Sequence, residues 1–97
     1  MKYYNWDNEK NEKLIAERKI SFEEVIFNIE HGNLLEDLSH PNQEEYKGQR
    51  LLTVRVRDYV YLVPYVERVG EVFLKTIIPS RKAAKKYLKT SYKDQDV

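Results

Sequence analysis

The residues with the most chemical capacity in this chain are basic and aromatic. Arg55 and Lys75 fall in two stretches that read as β-strands, at positions that can share one sheet face. Arg81, Lys82, Lys85 and Lys86 follow just beyond the second stretch, and Tyr65 and Tyr87 border the same region. A phosphodiester suits such a set, because an arginine grips phosphate oxygens in a fork and a lysine offers a mobile point charge. RNA cleavage in particular proceeds without a metal. The 2′-oxygen attacks the adjacent phosphate, fixed cations stabilise the charge gained in the transition state, and an acid protonates the leaving 5′-oxygen. On this reading Arg81, Lys75, Arg55 and Tyr87 are the candidate catalytic residues. Lys82, Lys85, Lys86 and Tyr65 are the candidate RNA-binding residues. The plainer alternative is that lysines on a terminal helix only solvate its outer face.

Other chemistries lack their residues. The absence of cysteine excludes disulfides, Cys-ligated zinc and thiol catalysis. His31 and His40 stand nine residues apart, without the ligand spacing of a zinc or iron site. The three glycines, at positions 32, 48 and 70, stand alone and make no phosphate-cradling loop. No spacing recommends a Ser-His-Asp triad. The expectation is a site with no metal and no cofactor.

The elements that must position these residues centre on Leu51 to Ile78. This stretch reads LLTVRV, YVYLVPYV and EVFLKTII, three strand-length runs with short polar breaks. Arg57-Asp58 predicts a tight hairpin, and residues 67–70 a longer one with Gly70 supplying the unusual backbone angle. Connections this short demand antiparallel neighbours. The first turn sets Val56 opposite Tyr59, Val54 opposite Tyr61 and Leu52 opposite Val63. The second sets Tyr61 opposite Thr76 and Val63 opposite Leu74. Leu52, Val54, Val56, Tyr59, Tyr61, Val63, Val72, Leu74, Thr76 and Ile78 then share the more apolar face, which should meet the helices. Leu51, Thr53, Arg55, Val60, Leu62, Pro64, Phe73, Lys75 and Ile77 share the other, mixed face, suited to a polar partner. A one-residue slip in either turn would exchange the faces of the slipped strand.

Before the meander, Tyr3, Tyr4 and Trp6 form a short edge strand or pack down. Asp7 can cap a helix running to about Arg18, with Glu9 in its first turn. Its only aliphatics are Leu14, Ile15 and Ala16, so it should lie on the surface. A second helix, Phe22 to about Glu30, is better specified. Ser21 and Glu24 form a capping box, Ile20 and Val25 a hydrophobic staple, and Phe22, Val25, Ile26 and Ile29 a buried stripe that ends at Gly32. Leu34 to Leu38 is a candidate strand, and residues 39–48 a polar loop. After the meander, Ser80 can cap a final helix with Ala83, Ala84, Tyr87 and Leu88 facing inward and Lys82, Lys85, Lys86 and Lys89 outward.

At 97 residues, with 41% hydrophobic and 34% charged residues, the chain reads as one globular domain. That domain covers residues 1–90, and residues 91–97 read as a frayed tail. The net charge of +1 hides an asymmetry: Glu23 to Glu45 contains seven acids and no Lys or Arg, and Arg81 to Lys93 contains six bases and no acid. One end is thus suited to a polyanion, or each block simply solvates its own face. No apolar signal region or membrane-spanning run is present, so the expected location is the cytoplasm, with no membrane partner.

Taken together, WDNEKNEK at 6–13, ISFEEV at 20–25 and IIPSRKAAKKYL at 77–88 resemble the BrnT family of toxins, within the RelE-like ribonucleases of type II toxin–antitoxin systems. The likeness spans most of the chain. It implies an α+β fold of RelE type, with N-terminal helices packed on an antiparallel β-meander and a C-terminal basic helix. It also implies an endoribonuclease that arrests translation and growth, held as a hetero-oligomer by a cognate DNA-binding antitoxin. Arg81 takes the place of the arginine in the family's closing motif, and Asp7, Lys10 and Asn11 match its opening element. The family's Lys-His-Gly before Ile-Ser-Phe is replaced here by Glu17-Arg18-Lys19, and its usual basic residue before Ile-Ile by Thr76, with Lys75 beside it. These departures favour an alternative, a module of the same fold that binds its antitoxin or RNA without cutting. A DNA-binding regulator fits less well, since no helix-turn-helix pairing is present and the best-specified helix exposes acids.

Overall fold

A computed structural model describes residues 3–88 of the chain. Lys89, placed above on the outward face of the last helix, and the tail at 91–97 lie outside the described residues. The fold is α+β. In chain order it comprises β1 (Tyr3–Asn5), α1 (Asn8–Arg18), α2 (Phe22–Glu30), β2 (Leu34–Ser39), β3 (Gln49–Val56), β4 (Tyr59–Arg68), β5 (Glu71–Leu74), β6 (Ile78–Pro79) and α3 (Arg81–Tyr87). The strands form one six-stranded sheet in the order β1-β5-β4-β3-β2, with β6 also paired to β4. Only β1 runs parallel to its neighbour, so the sheet is mixed rather than a pure antiparallel meander. Among the described residues no helix is long and apolar enough to cross a membrane.

Both N-terminal helices start where their caps predict. Asp7 accepts the Glu9 N–H at 2.8 Å, and the Ser21 hydroxyl accepts the Glu24 N–H at 3.1 Å. The reciprocal half of the expected capping box is replaced. The Glu24 carboxylate takes the Arg57 guanidinium in a two-pronged pair at 2.7 and 2.8 Å. Arg57 also donates to the Lys19 carbonyl at 2.8 Å, tying the β3–β4 turn to the junction between the helices. Lys19 and Arg57 are the two non-glycine residues with positive φ among the described residues, and this bond joins them directly. Gly32, at φ +86°, ends α2: its N–H reaches the Ile29 carbonyl and the Asn33 N–H the Asn28 carbonyl, the paired bonds of a Schellman stop. Ser21→Ala removes the side-chain cap alone and should cost about 1 kcal/mol in a denaturant melt.

The α1 helix is anchored less by aliphatics than by a buried amide. Asn11 is 6% exposed, its carbonyl oxygen accepts the Phe22 N–H at 2.8 Å, and its NH₂ donates to Glu23 at 2.8 Å. One side chain of α1 thus satisfies an end group of α2 that the helix itself cannot. Asn11→Ala strands that buried N–H and should destabilise the protein by about 2 kcal/mol, more than loss of the Ser21 cap. A smaller loss in the same melt would mean that water replaces the amide.

The first hairpin has the predicted register, with Val56 opposite Tyr59 and Leu52 opposite Val63. The second corrects the prediction. Arg68 pairs with Glu71, so the turn is the two-residue Val69-Gly70, and Leu74 lies opposite Tyr65 rather than Val63. Val69 is not at positive φ, so Gly70, at φ +74°, supplies the left-handed second position that this turn needs. A displacement of two residues preserves the face assignments of β5 through Leu74, whereas Tyr59, at the hairpin end of β4, departs from its expected face and packs in the cluster under α3.

Beyond Leu74 the faces change. The Lys75 N–H still reaches the Pro64 carbonyl at 2.8 Å, but the next pairing is Leu62 with Ile78, one residue out of step. The expected single strand from 71 to 78 is therefore two strands, and the extra residue between them reverses the alternation. Ile77 is fully buried in the main core and Ile78 is 41% exposed on the other side, the opposite of the sequence expectation. The Arg18 guanidinium donates to the Ile77 carbonyl at 2.7 Å and fixes the chain at this break.

The result is three layers. On one side of the sheet, α1, α2 and the junction between them cover Leu52, Val54, Val56, Val63 and Leu74 through Leu14, Ile20, Phe22 and Val25. On the other, α3 seats Ala84 and Leu88 on Val60, with Leu35 and Tyr59 alongside.

Candidate functional site

The α3 side of the sheet carries the basic groove. Ser80 donates its N–H to the Val60 carbonyl at 3.0 Å, which turns the chain back over β4. The Ser80 hydroxyl then accepts the Ala83 N–H at 3.1 Å and starts α3. Ala84 and Leu88 face the sheet, which leaves Lys82, Lys86 and Tyr87 along one flank. Between that flank and the sheet runs a groove of about 210 Å³, floored by Thr53 and Leu62. Glu36 of β2 completes it.

A β-bulge delivers Glu36 to this place. The β2–β3 register shifts between Leu34 and Glu36: Leu34 opposes Val54, and Glu36 opposes Thr53. The extra residue breaks strict alternation, so Leu35 packs in the α3 cluster while its neighbour Glu36 also faces α3. The Lys86 ammonium lies 3.5 Å from the Glu36 carboxylate and 5.1 Å from the centre of the Tyr87 ring. Hydrogen bonding to Tyr87, aided by the Glu36 charge, raises the Lys86 pKa. Burial and a hydrogen bond to Glu36 raise the Tyr87 pKa, opposed in part by Lys86. The groove is therefore cationic and aromatic, with one carboxylate among its lining residues.

Three of the eight residues singled out from sequence, Lys82, Lys86 and Tyr87, meet in this groove. Arg81 is exposed at the first position of α3, and Lys85 is exposed on the same helix. Arg55 does share this sheet face, opposite Val60, but its guanidinium turns to the hairpin end, 3.4 Å from the Arg57 carbonyl and 4.0 Å from Asp58. Lys75 leaves β5 with its ammonium over the Phe73 ring at 5.9 Å. Tyr65 does not border the groove. It pairs with Arg50 and Leu74 on the α1/α2 side of the sheet and is 4% exposed.

There Tyr65 belongs to a second polar cluster. Its hydroxyl donates to both Asp37 oxygens at 2.8 and 3.0 Å and accepts from Arg50 at 3.1 Å. Arg50 also donates to the Asp37 side chain at 3.1 Å and to its carbonyl at 3.0 Å. The successive acids Glu36 and Asp37 thus serve opposite faces, each holding one tyrosine and one cation. Beside the Asp37 cluster lies a pocket of about 200 Å³ lined by Tyr4, Leu34, Glu67 and Val72 among others.

Burial, reinforced by the bond to Asp37, raises the Tyr65 pKa above its ordinary value of 10.0. A phenol with a raised pKa keeps its proton in alkali that strips the unfolded chain. Its stabilising contribution is therefore complete below pH 10 and fades as pH climbs through the folded value. Ultraviolet titration should show phenolate appearing late for part of the tyrosine signal, and Tyr65→Phe should shrink that late component. An unchanged late component would place Tyr65 in solvent.

Thr53 lies on the mixed sheet face where strand alternation put it, but Glu36 was not legible as a groove residue. Glu36 stood in an expected strand, but its side depends on a bulge that no residue type there announces. Among the described residues no cluster of three His, Cys, Asp or Glu side chains is arranged to hold a metal. No family model, curated protein or solved structure matches the chain.

Proposed function

We propose that this chain is the toxin of a type II toxin–antitoxin pair, a RelE-like, BrnT-type endoribonuclease that needs no metal or cofactor. It acts in the cytoplasm, cuts RNA to arrest translation and growth, and is held in a hetero-oligomer by a DNA-binding antitoxin. The observation that carries the reading is the α3 groove, where Lys82, Lys86 and Tyr87 meet the Glu36 carboxylate over a sheet floor. Lysines there can hold a phosphodiester, and Tyr87 offers a ring for a base to stack on. Arg81 and Lys82 have no hydrogen-bond or ion-pair partner among the described residues, so their charge is available to a polyanion.

The dispersal of the remaining set favours one second reading, a non-catalytic module that binds antitoxin or RNA without cleavage. Arg55 is engaged at the hairpin, and Tyr65 faces the other way. Induction of the chain in a bacterial host, with total RNA mapped for new 5′-ends within minutes, separates the two. Growth arrest with discrete new ends, relieved by the adjacent open reading frame, is the expected result. Normal growth and intact RNA, from protein shown to be folded, would establish the non-cutting module instead.

A further inference from the structure

Attack by a 2′-oxygen requires a proton acceptor close to the cations that hold the phosphate. The reacting oxygen and phosphorus approach to about 3–3.5 Å, so the acceptor has to lie within the same small site. The groove contains one group of that kind. Neither histidine takes part: His31 bonds the Phe27 carbonyl at 2.7 Å beyond the end of α2, and His40 lies tilted against the Tyr46 ring at 4.4 Å while accepting the Asn42 N–H. Asp37 is turned to the opposite face, where Tyr65 and Arg50 hold it. Glu36 alone among the groove's lining residues carries a carboxylate, and the bulge at Leu34/Glu36 is what aims it there.

Building on the nuclease reading above, we infer that Glu36 is the general base of the α3 groove, accepting the proton of the attacking 2′-hydroxyl. The 2′-oxygen then bonds to phosphorus and the P–O5′ bond breaks. The 5′-oxygen takes a proton from water, and the resulting hydroxide is neutralised by the proton on Glu36. The products are a 2′,3′-cyclic phosphate and a free 5′-hydroxyl. The titratable groups facing Glu36 are Lys86 and Tyr87 on α3, with Lys82 one turn back; β3 opposes it with the uncharged Thr53. Lys86, bonded to Glu36, keeps the carboxylate beside the phosphate-binding cations.

The test compares wild-type, Glu36→Gln and Glu36→Asp protein on a fluorescein-labelled random-sequence single-stranded RNA and on ribosome-bound messenger RNA. Cleavage is measured at neutral pH and RNA retention by filter binding. Glu36→Gln should cut at least about 100-fold more slowly at neutral pH. It should bind RNA as well as or better than wild type. Glu36→Asp should recover part of the rate, and the wild-type product should end in a cyclic phosphate. Undiminished or faster cleavage by Glu36→Gln would overturn the base assignment and leave the nuclease reading intact. A wild-type protein that cuts neither RNA would overturn both.

Discussion

Ile77→Ala is expected to destabilise the protein by about 3 kcal/mol, whereas Ile78→Ala should cost about 1 kcal/mol or less. Ile77 is fully buried among the α1/α2 core residues, so truncation removes transfer energy and leaves a cavity whose walls are held by backbone. Those walls collapse poorly, because Arg18 grips the Ile77 carbonyl at 2.7 Å and the chain on either side is tied to β4 through Lys75 and Ile78. Ile78, at 41% exposed, gives back far less. Chemical denaturation of the two variants, read side by side, checks this. Equal losses, or a larger loss at Ile78, would mean that the strand continues without the one-residue break.

If the chain is the nuclease proposed above, Arg81→Ala should abolish growth arrest while moving the melting midpoint by no more than about 3 °C. Arg81 is exposed and has no hydrogen-bond or ion-pair partner among the described residues. The helix start is held by Ser80 instead, through the Ala83 N–H. Removing the guanidinium therefore takes away charge and fork geometry and little else. In a phosphoryl transition state, one lost donor of this kind lowers turnover about 100- to 1,000-fold. Arg81→Lys should restore part of the effect, because a point charge replaces the planar fork incompletely. Growth arrest that persists in Arg81→Ala would remove the residue from the site, and a collapsed melting curve would make it structural.

How far the fold was legible depends on the range of the interaction that set each element. Caps, helix stripes and the Arg57-Asp58 hairpin depend on neighbours in sequence, and each was readable from residue types. The second hairpin was readable as a hairpin but not in length, because both a four-residue and a two-residue turn accommodate Gly70. Its two-residue error was harmless to the faces; the one-residue break before Ile78 was not, because side-chain direction in a strand has period two.

The candidate site follows the same division. Residue types and local spacing were enough to show a last helix capped by Ser80, basic on its exposed positions and joined to a β-rich core. They also rule out cysteine chemistry. Which of the basic residues meet was set by long-range packing. The β2–β3 bulge turned Glu36 toward α3, and the face occupied by Tyr65 separated it from Tyr87. Arg55 was drawn to the hairpin end by Arg57 and Asp58. Those outcomes rest on register and layer packing between segments far apart in the chain, and composition and local spacing carry no term for either.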